Sequence, residues 1–154
     1  MADNSNFLLD LQKQNAANCS GFLKAVLKYL SISFTDKNAD GMIDDITSSS
    51  TWIEIGAGKK DGVSAIQFAR QGYLVVALLK AKEHINPHSH GHVSVVLPMT
   101  GPRGYPMLVS GSIVAAGQSR GEKEVQGVWQ TVDAPNVHYY RTMSPFPALI
   151  SAQK

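Results

Sequence analysis

The sequence predicts an α+β domain in which N-terminal helices pack on an antiparallel β-sheet. Apolar residues first recur at helical spacing, as in Phe22, Val26, Tyr29 and Leu30. The period then changes, and Tyr73-Leu74-Val75-Val76-Ala77-Leu78-Leu79 is a continuous, partly β-branched apolar run of the kind a buried strand carries. Helices first and strands after is the order of an α+β domain with an antiparallel sheet.

The 154 residues suit one domain, 1–154, without repeat or linker, able to bury about two-thirds of its unfolded surface. Hydrophobic content of 44% and charged content of 17% describe an ordinary globular chain. The formal charge of +2 comes without a basic stripe interleaved with aromatics, which argues against a nucleic-acid partner. No apolar run approaches the ~18 residues that span a bilayer, so no membrane partner is expected. Met1-Ala2-Asp3-Asn4-Ser5-Asn6 lacks the basic and apolar segments of a secretory signal. The chain is therefore expected to stay in the cytosol or to leave by a route without a cleavable signal. One cysteine excludes an internal disulfide.

Residues 7–14 read as a short helix, with Phe7, Leu8 and Leu11 inward and Ser5 or Asn6 as cap. Residues 15–18 break it. A second helix runs from Cys19 to near Leu30, its face formed by Phe22, Val26, Tyr29 and Leu30. A helix N-terminus offers unpaired N–H groups and about half a positive charge, which favour a thiolate. Cys19 can therefore be a nucleophile near neutral pH. The same place also suits a small buried hydrophobe.

Asp36, Asn38, Asp40 and Gly41 match the first half of a calcium loop, D-x-N-x-D-G. The twelfth position, which ordinarily supplies a bidentate carboxylate, is Thr47. A helix capped at Asp40 explains the same residues without a metal. Residues 48–51 read as a turn, and Trp52-Ile53-Glu54-Ile55 as a strand or packed turn. Residues 56–62 read as a loop that lacks the full G-x-x-x-x-G-K-[ST] pattern of a phosphate site. A helix follows over 63–70, with Val63, Ile66 and Ala69 or Arg70 on one side, and Gly72 ends it. Strands are expected at 73–79, at 91–97 up to Pro98, at 105–115 interrupted by Gly111, at 128–132 and at 137–141. Residues 117–127 are polar and read as a surface excursion.

Four of the five histidines lie in His84-Ile85-Asn86-Pro87-His88-Ser89-His90-Gly91-His92. On a strand, His88, His90 and His92 would share a face and could hold a metal. A cupin-like barrel, however, also needs a glutamate soon after its H-x-H pair, and residues 93–100 contain no acid. Pro87 and Gly91 make the first part of the segment more loop than strand. His92 opens an apolar strand directly after a glycine. A cysteine nucleophile requires a base within hydrogen-bond reach, itself held by a third polar group. His92 is the candidate base, and Ser110 or Ser112 on the next strand the candidate third group.

Asn18-Cys19-Ser20-Gly21-Phe22 heading a helix, Gly72-Tyr73-Leu74-Val75-Val76-Ala77 as a strand and Gly91-His92-Val93-Ser94-Val95-Val96 together resemble the NlpC/P60 group of papain-like cysteine peptidases. More narrowly, the chain is similar to the first family of type VI secretion amidase effectors. The likeness continues through Tyr105-Pro106-Met107, Gly111-Ser112-Ile113, Gly117-Gln118-Ser119, Val128-Trp129 and Tyr139-Tyr140. The resemblance implies a papain-like NlpC/P60 fold with Cys19 as nucleophile and His92 as base. Ser110 then takes the third place, and serine is a modest orienter. It implies an antibacterial toxin, made without a signal peptide and delivered by the type VI machinery into a neighbour's periplasm. There it would cut the γ-D-glutamyl–meso-diaminopimelate bond of peptidoglycan peptide stems. No cofactor or metal is implied. The partners implied are secretion components and a cognate immunity protein.

Two rival readings remain at this level. One is a non-catalytic cell-wall or protein-binding module of the same fold. The other is a metal-dependent enzyme built on His88, His90 and His92. Otherwise His84, His88 and His90 read as loop residues near the groove, His138 as packed or surface, and Trp52 and Trp129 as core.

Overall fold

A computed structural model describes residues 19–83, 91–109, 122–124, 129 and 132–150, together with positions 8, 10, 11 and 14 near the N-terminus. Its helices are α1 (Cys19–Tyr29), α2 (Ala39–Ser48), α3 (Gly58–Arg70) and the short α4 (Pro147–Ile150). Its strands are β1 (Trp52–Ala57), β2 (Val75–Leu79), β3 (His92–Thr100), β4 (Pro106–Val109), β5 (Glu122–Glu124) and β6 (His138–Thr142). Among the described residues the six strands form one sheet in the order β1-β6-β2-β3-β4-β5. Every pairing is antiparallel, so the fold is α+β, as the sequence predicts.

Side-chain alternation splits the core in two. Val76, Leu78, Val93, Val95 and Leu97 face Phe22, Leu23, Val26 and Leu27 of α1 and Met42, Ile43 and Ile46 of α2. On the other face Val75, Ala77, Leu79 and Val96 pack with Ala65 and Ala69 of α3, and with Trp129 and Tyr139. All five residues of β2 are buried. That explains its unbroken apolar run, because a strand covered on both faces has no solvent side to supply polar residues. Full burial of each large aliphatic side chain contributes roughly 1.5–3 kcal/mol.

Several elements depart from expectation. The buried stripe of α1 is Phe22, Leu23, Val26 and Leu27, while Tyr29 is 54% exposed. Residues 56–62 are not a loop, because α3 begins at Gly58. Two glycines make that sharp strand-to-helix turn: Gly56 has φ 145° and Gly58 φ 76°. A side chain at Gly56 would strike the carboxylate of Asp61, which accepts the Ala57 N–H at 2.9 Å. In the longer helix the inward positions are Gly58, Gly62, Ala65, Ile66 and Ala69, and Val63 is solvent-facing. The helix also lies between strands, so helices do not all precede the sheet.

The cap of α2 is Asn38, not Asp40: its side-chain oxygen accepts the Gly41 N–H at 2.9 Å. The acids of the half-motif are engaged elsewhere. Asp36 pairs with Lys24 at 2.6 Å, and Asp40 accepts the Ala81 N–H at 3.1 Å. Among the described residues no cluster of three or more His, Cys, Asp or Glu side chains could hold a metal ion.

β3 runs through Pro98 to Thr100, with a register shift after Val96. A proline is tolerated at such an irregularity because no ladder hydrogen bond is lost there. Within 117–127, residues Glu122–Glu124 form the edge strand β5, and the rest of the stretch read as a surface excursion lies outside the described residues. Trp129 sits at a bend and Val132 and Asp133 in a turn, so the expected strand at 128–132 is not seen at these positions.

Candidate active site

The first residue of α1 is Cys19 and the first residue of β3 is His92. The two elements pack against each other. The sequence brings this about through Phe22, Leu23 and Val26 on the helix and Val93, Val95 and Leu97 on the strand, all in one core. No acid occupies the first turn of α1, and Lys28 lies in its last turn. Nothing on the helix itself therefore offsets the partial positive charge at the end where Cys19 stands. The side chain of Cys19 is outside the described residues, as are Ser110, Ser112, His84, His88 and His90.

His92 is buried, with 8% of its surface exposed. It pairs across the ladder with Leu79, the last residue of β2. Its imidazole meets the indole of Trp129 edge-on at a centroid distance of 5.2 Å and an interplanar angle of 83°. Leu79 and Trp129 both belong to the α3-side core. Alternation along β3 thus turns His92 and the buried Ser94 towards α3, whereas Val93 and Val95 point to α1. Cys19 heads a helix on the opposite face. His92 is the first residue of β3, the strand on which α1 packs.

Gly91, immediately before His92, is wedged against α2. A side chain there would overlap the Asp40 carboxylate and press on Ile43 and the Leu79 carbonyl at 3.2 Å each. Asp40 also accepts the Ala81 N–H, just beyond β2. One carboxylate in the first turn of α2 therefore borders both the exit of β2 and the entry of β3. Neither Asp40 nor Trp129 announces this in the sequence. Asp40 reads as a cap or calcium ligand and Trp129 as core, and the latter reading holds, since Trp129 is 4% exposed.

The remaining polar groups near the sheet do structural work. Tyr140 donates to Glu54 at 3.3 Å, and burial together with that carboxylate pushes its phenol upward from its ordinary pKa. His138 lies 3.5 Å from Glu83 at the half-exposed edge. Lys80 and Asp44 pair at 2.6 Å, and their hydrogen bond lowers the carboxyl and raises the ammonium. Arg141 stacks over Phe68 and Tyr73, 4.6 Å from each ring centre. Among the described residues no helix is long and apolar enough to cross a membrane.

No family model matches the chain. It is similar to the peptidoglycan amidase Tse1 of Pseudomonas aeruginosa, with 38% identity over 130 residues, which cover 82% of this chain and 75% of that protein.

Proposed function

The chain belongs to the family of the peptidoglycan amidase Tse1, and from that premise we propose that it is itself a peptidoglycan amidase acting as an antibacterial effector. Identity of 38% across 82% of the chain is the observation that carries this reading. The bond proposed is the amide between γ-D-glutamate and meso-diaminopimelate in the peptide stem. The catalytic groups proposed are Cys19 and His92, with Ser110 as orienter. What supports them is the likeness of both motifs to NlpC/P60 peptidases and their places at the heads of two elements that pack together.

In this mechanism His92 takes the thiol proton and the N-terminus of α1 stabilises the resulting thiolate. The sulfur attacks the γ-carbonyl of D-glutamate. The Cys19 backbone N–H donates to the tetrahedral oxyanion, and loss of one such donor typically costs about 10²–10³ in rate. The imidazolium then protonates the departing amine of diaminopimelate. Water, deprotonated by His92, releases the D-glutamyl carboxylate and restores the thiol. The dyad forms around the end of β3, with Trp129 against the imidazole on the α3 side. Delivery by type VI secretion into a target periplasm and neutralisation by a cognate immunity protein complete the proposal.

The test is a digest of Gram-negative peptidoglycan by wild type, Cys19→Ala and His92→Ala, with products read by mass spectrometry. New termini at D-glutamate and diaminopimelate, formed by the wild type alone, are the expected result. The same products from either variant would overturn the dyad, and no products from the wild type would overturn the amidase.

A further inference from the structure

At the end of α1 remote from Cys19, a groove of about 300 Å³ opens between α2, the segment after α1 and the start of β1. Its floor is apolar, made by Leu27, Met42 and Ile46. Two aromatic side chains flank it: Trp52, partly buried against the core, and Phe34, 40% exposed although no core requires it there. The rim is hydroxylic, including Ser33, Thr35, Ser49 and Thr51. The Ser49 and Thr51 hydroxyls are linked at 2.7 Å, and Ser49 Oγ also accepts the Thr51 N–H at 3.0 Å, which fixes that side of the rim. The one charged lining residue, Asp45, is paired with Lys37 at 2.8 Å.

We infer that this groove is a saccharide subsite that takes a neutral amino sugar of the glycan strand. The inference rests on the amidase reading for its choice of glycan. A pyranose has an apolar face of axial C–H groups and a perimeter of hydroxyls, and the groove has aromatic walls inside a ring of hydroxyls. The volume sits at the lower end of the range for small-molecule sites and suits one or two sugar rings. Because Asp45 is already neutralised by Lys37, the site lacks an uncompensated charge and selects for an uncharged ligand.

Position also fits. Leu27 lies eight residues along α1 from Cys19, about 12 Å at 1.5 Å per residue. A stem of two or three extended residues reaches roughly 7–11 Å. A sugar held in the groove would thus keep its own peptide stem at a distance comparable to that of the thiol. The groove would act as a positioning device for polymeric substrate.

The experiment is a calorimetric titration of the full chain with N,N′,N″-triacetylchitotriose, a glycan oligomer without peptide. Saturable binding by the wild type is expected, weakened about tenfold in Phe34→Ala and in Trp52→Ala. Phe34 is exposed, so its replacement leaves the core intact even if Trp52→Ala fails to fold. A second arm compares hydrolysis of a soluble sugar-free stem peptide with that of intact peptidoglycan. Phe34→Ala should match the wild type on the peptide and fall behind it on the polymer. No saturable binding by the wild type, or unchanged affinity in Phe34→Ala, would overturn the subsite. Saccharide binding by a protein that cleaves no stem would instead uphold the subsite and overturn the amidase reading.

Discussion

The imidazole of His92 stands edge-on to the indole of Trp129, 5.2 Å between ring centres and 83° between planes. With the ring wedged between this indole and the strand ladder, one orientation of the imidazole is favoured before substrate arrives. Trp129→Phe keeps an aromatic wall and is expected to retain most activity. Trp129→Ala removes it, and small misplacements of a catalytic group cost on the order of 100-fold in rate. Steady-state kinetics on protein normalised for its folded fraction checks this: a positioning role lowers kcat per folded molecule with KM little changed, whereas a purely structural role changes only the fraction of folded protein.

Gly91 and Asp40 are expected to be coupled. Gly91→Ala drives a methyl group into the Asp40 carboxylate, and such overpacking typically costs about 1–3 kcal/mol. Asp40→Ala vacates that space while losing the Ala81 N–H contact. The double variant should therefore lose less stability than the two single variants together, by at least about 0.5 kcal/mol. Urea unfolding of the four proteins measures the coupling, and strict additivity would show that the two residues do not share the space.

The cap of α2 offers a simple stability test. Asn38→Ala removes the acceptor for the Gly41 N–H and should cost about 1 kcal/mol. For a chain of this length that corresponds to a Tm lower by roughly 2–4 °C. Asp36→Ala, which loses only an ion pair with an exposed carboxylate, should move Tm far less. Thermal unfolding in calcium and in chelator should rank the two variants in the same order.

Tyr139 sets an alkaline limit. Its hydroxyl is buried and, among the described residues, has no hydrogen-bond partner. Burial, with smaller contributions from Tyr105 and Asp61, pushes its pKa well above the ordinary tyrosine value of 10.0. Between that value and the raised one the folded state holds a proton that the unfolded state has lost. Stability attributable to Tyr139 is therefore present below about pH 10 and declines as pH rises beyond it. Tyr139→Phe should unfold at higher pH than the wild type. At neutral pH it should be as stable or more so, by up to about 1 kcal/mol, because an unsatisfied buried hydroxyl is removed. Circular dichroism across an alkaline titration gives both answers.

Much of the framework was legible in the chain itself. The uninterrupted apolar run at 73–79 predicted a buried strand, and β2 is buried on both faces because helices cover both sides of the sheet. The helical period after Cys19 located α1 to within a residue of its end, and the glycine before His92 marked the entry of β3. The Cys19 and His92 motifs carried the family resemblance, which similarity to Tse1 over most of the chain bears out. These features are local: hydrophobic spacing records how often a segment turns towards an interior, and a motif records residue types in fixed order.

What the chain alone did not determine is which interior each residue enters and what it meets there. The start of α3 at Gly58 was hidden because glycine and lysine usually mark a loop, and only the contact of Asp61 with the Ala57 N–H shows a helix beginning. The inward face of α1 was misread at Tyr29 because periodicity fixes an angle around the helix to within about one residue, whereas the packed sheet fixes it outright. The pairing of Trp129 with His92, the wedge of Gly91 on Asp40 and the groove beneath Phe34 and Trp52 join residues far apart in sequence. No local spacing encodes such meetings. They follow from the strand order and from the alternation that sends His92 to one face of the sheet and α1 to the other, so the tertiary structure alone decided them.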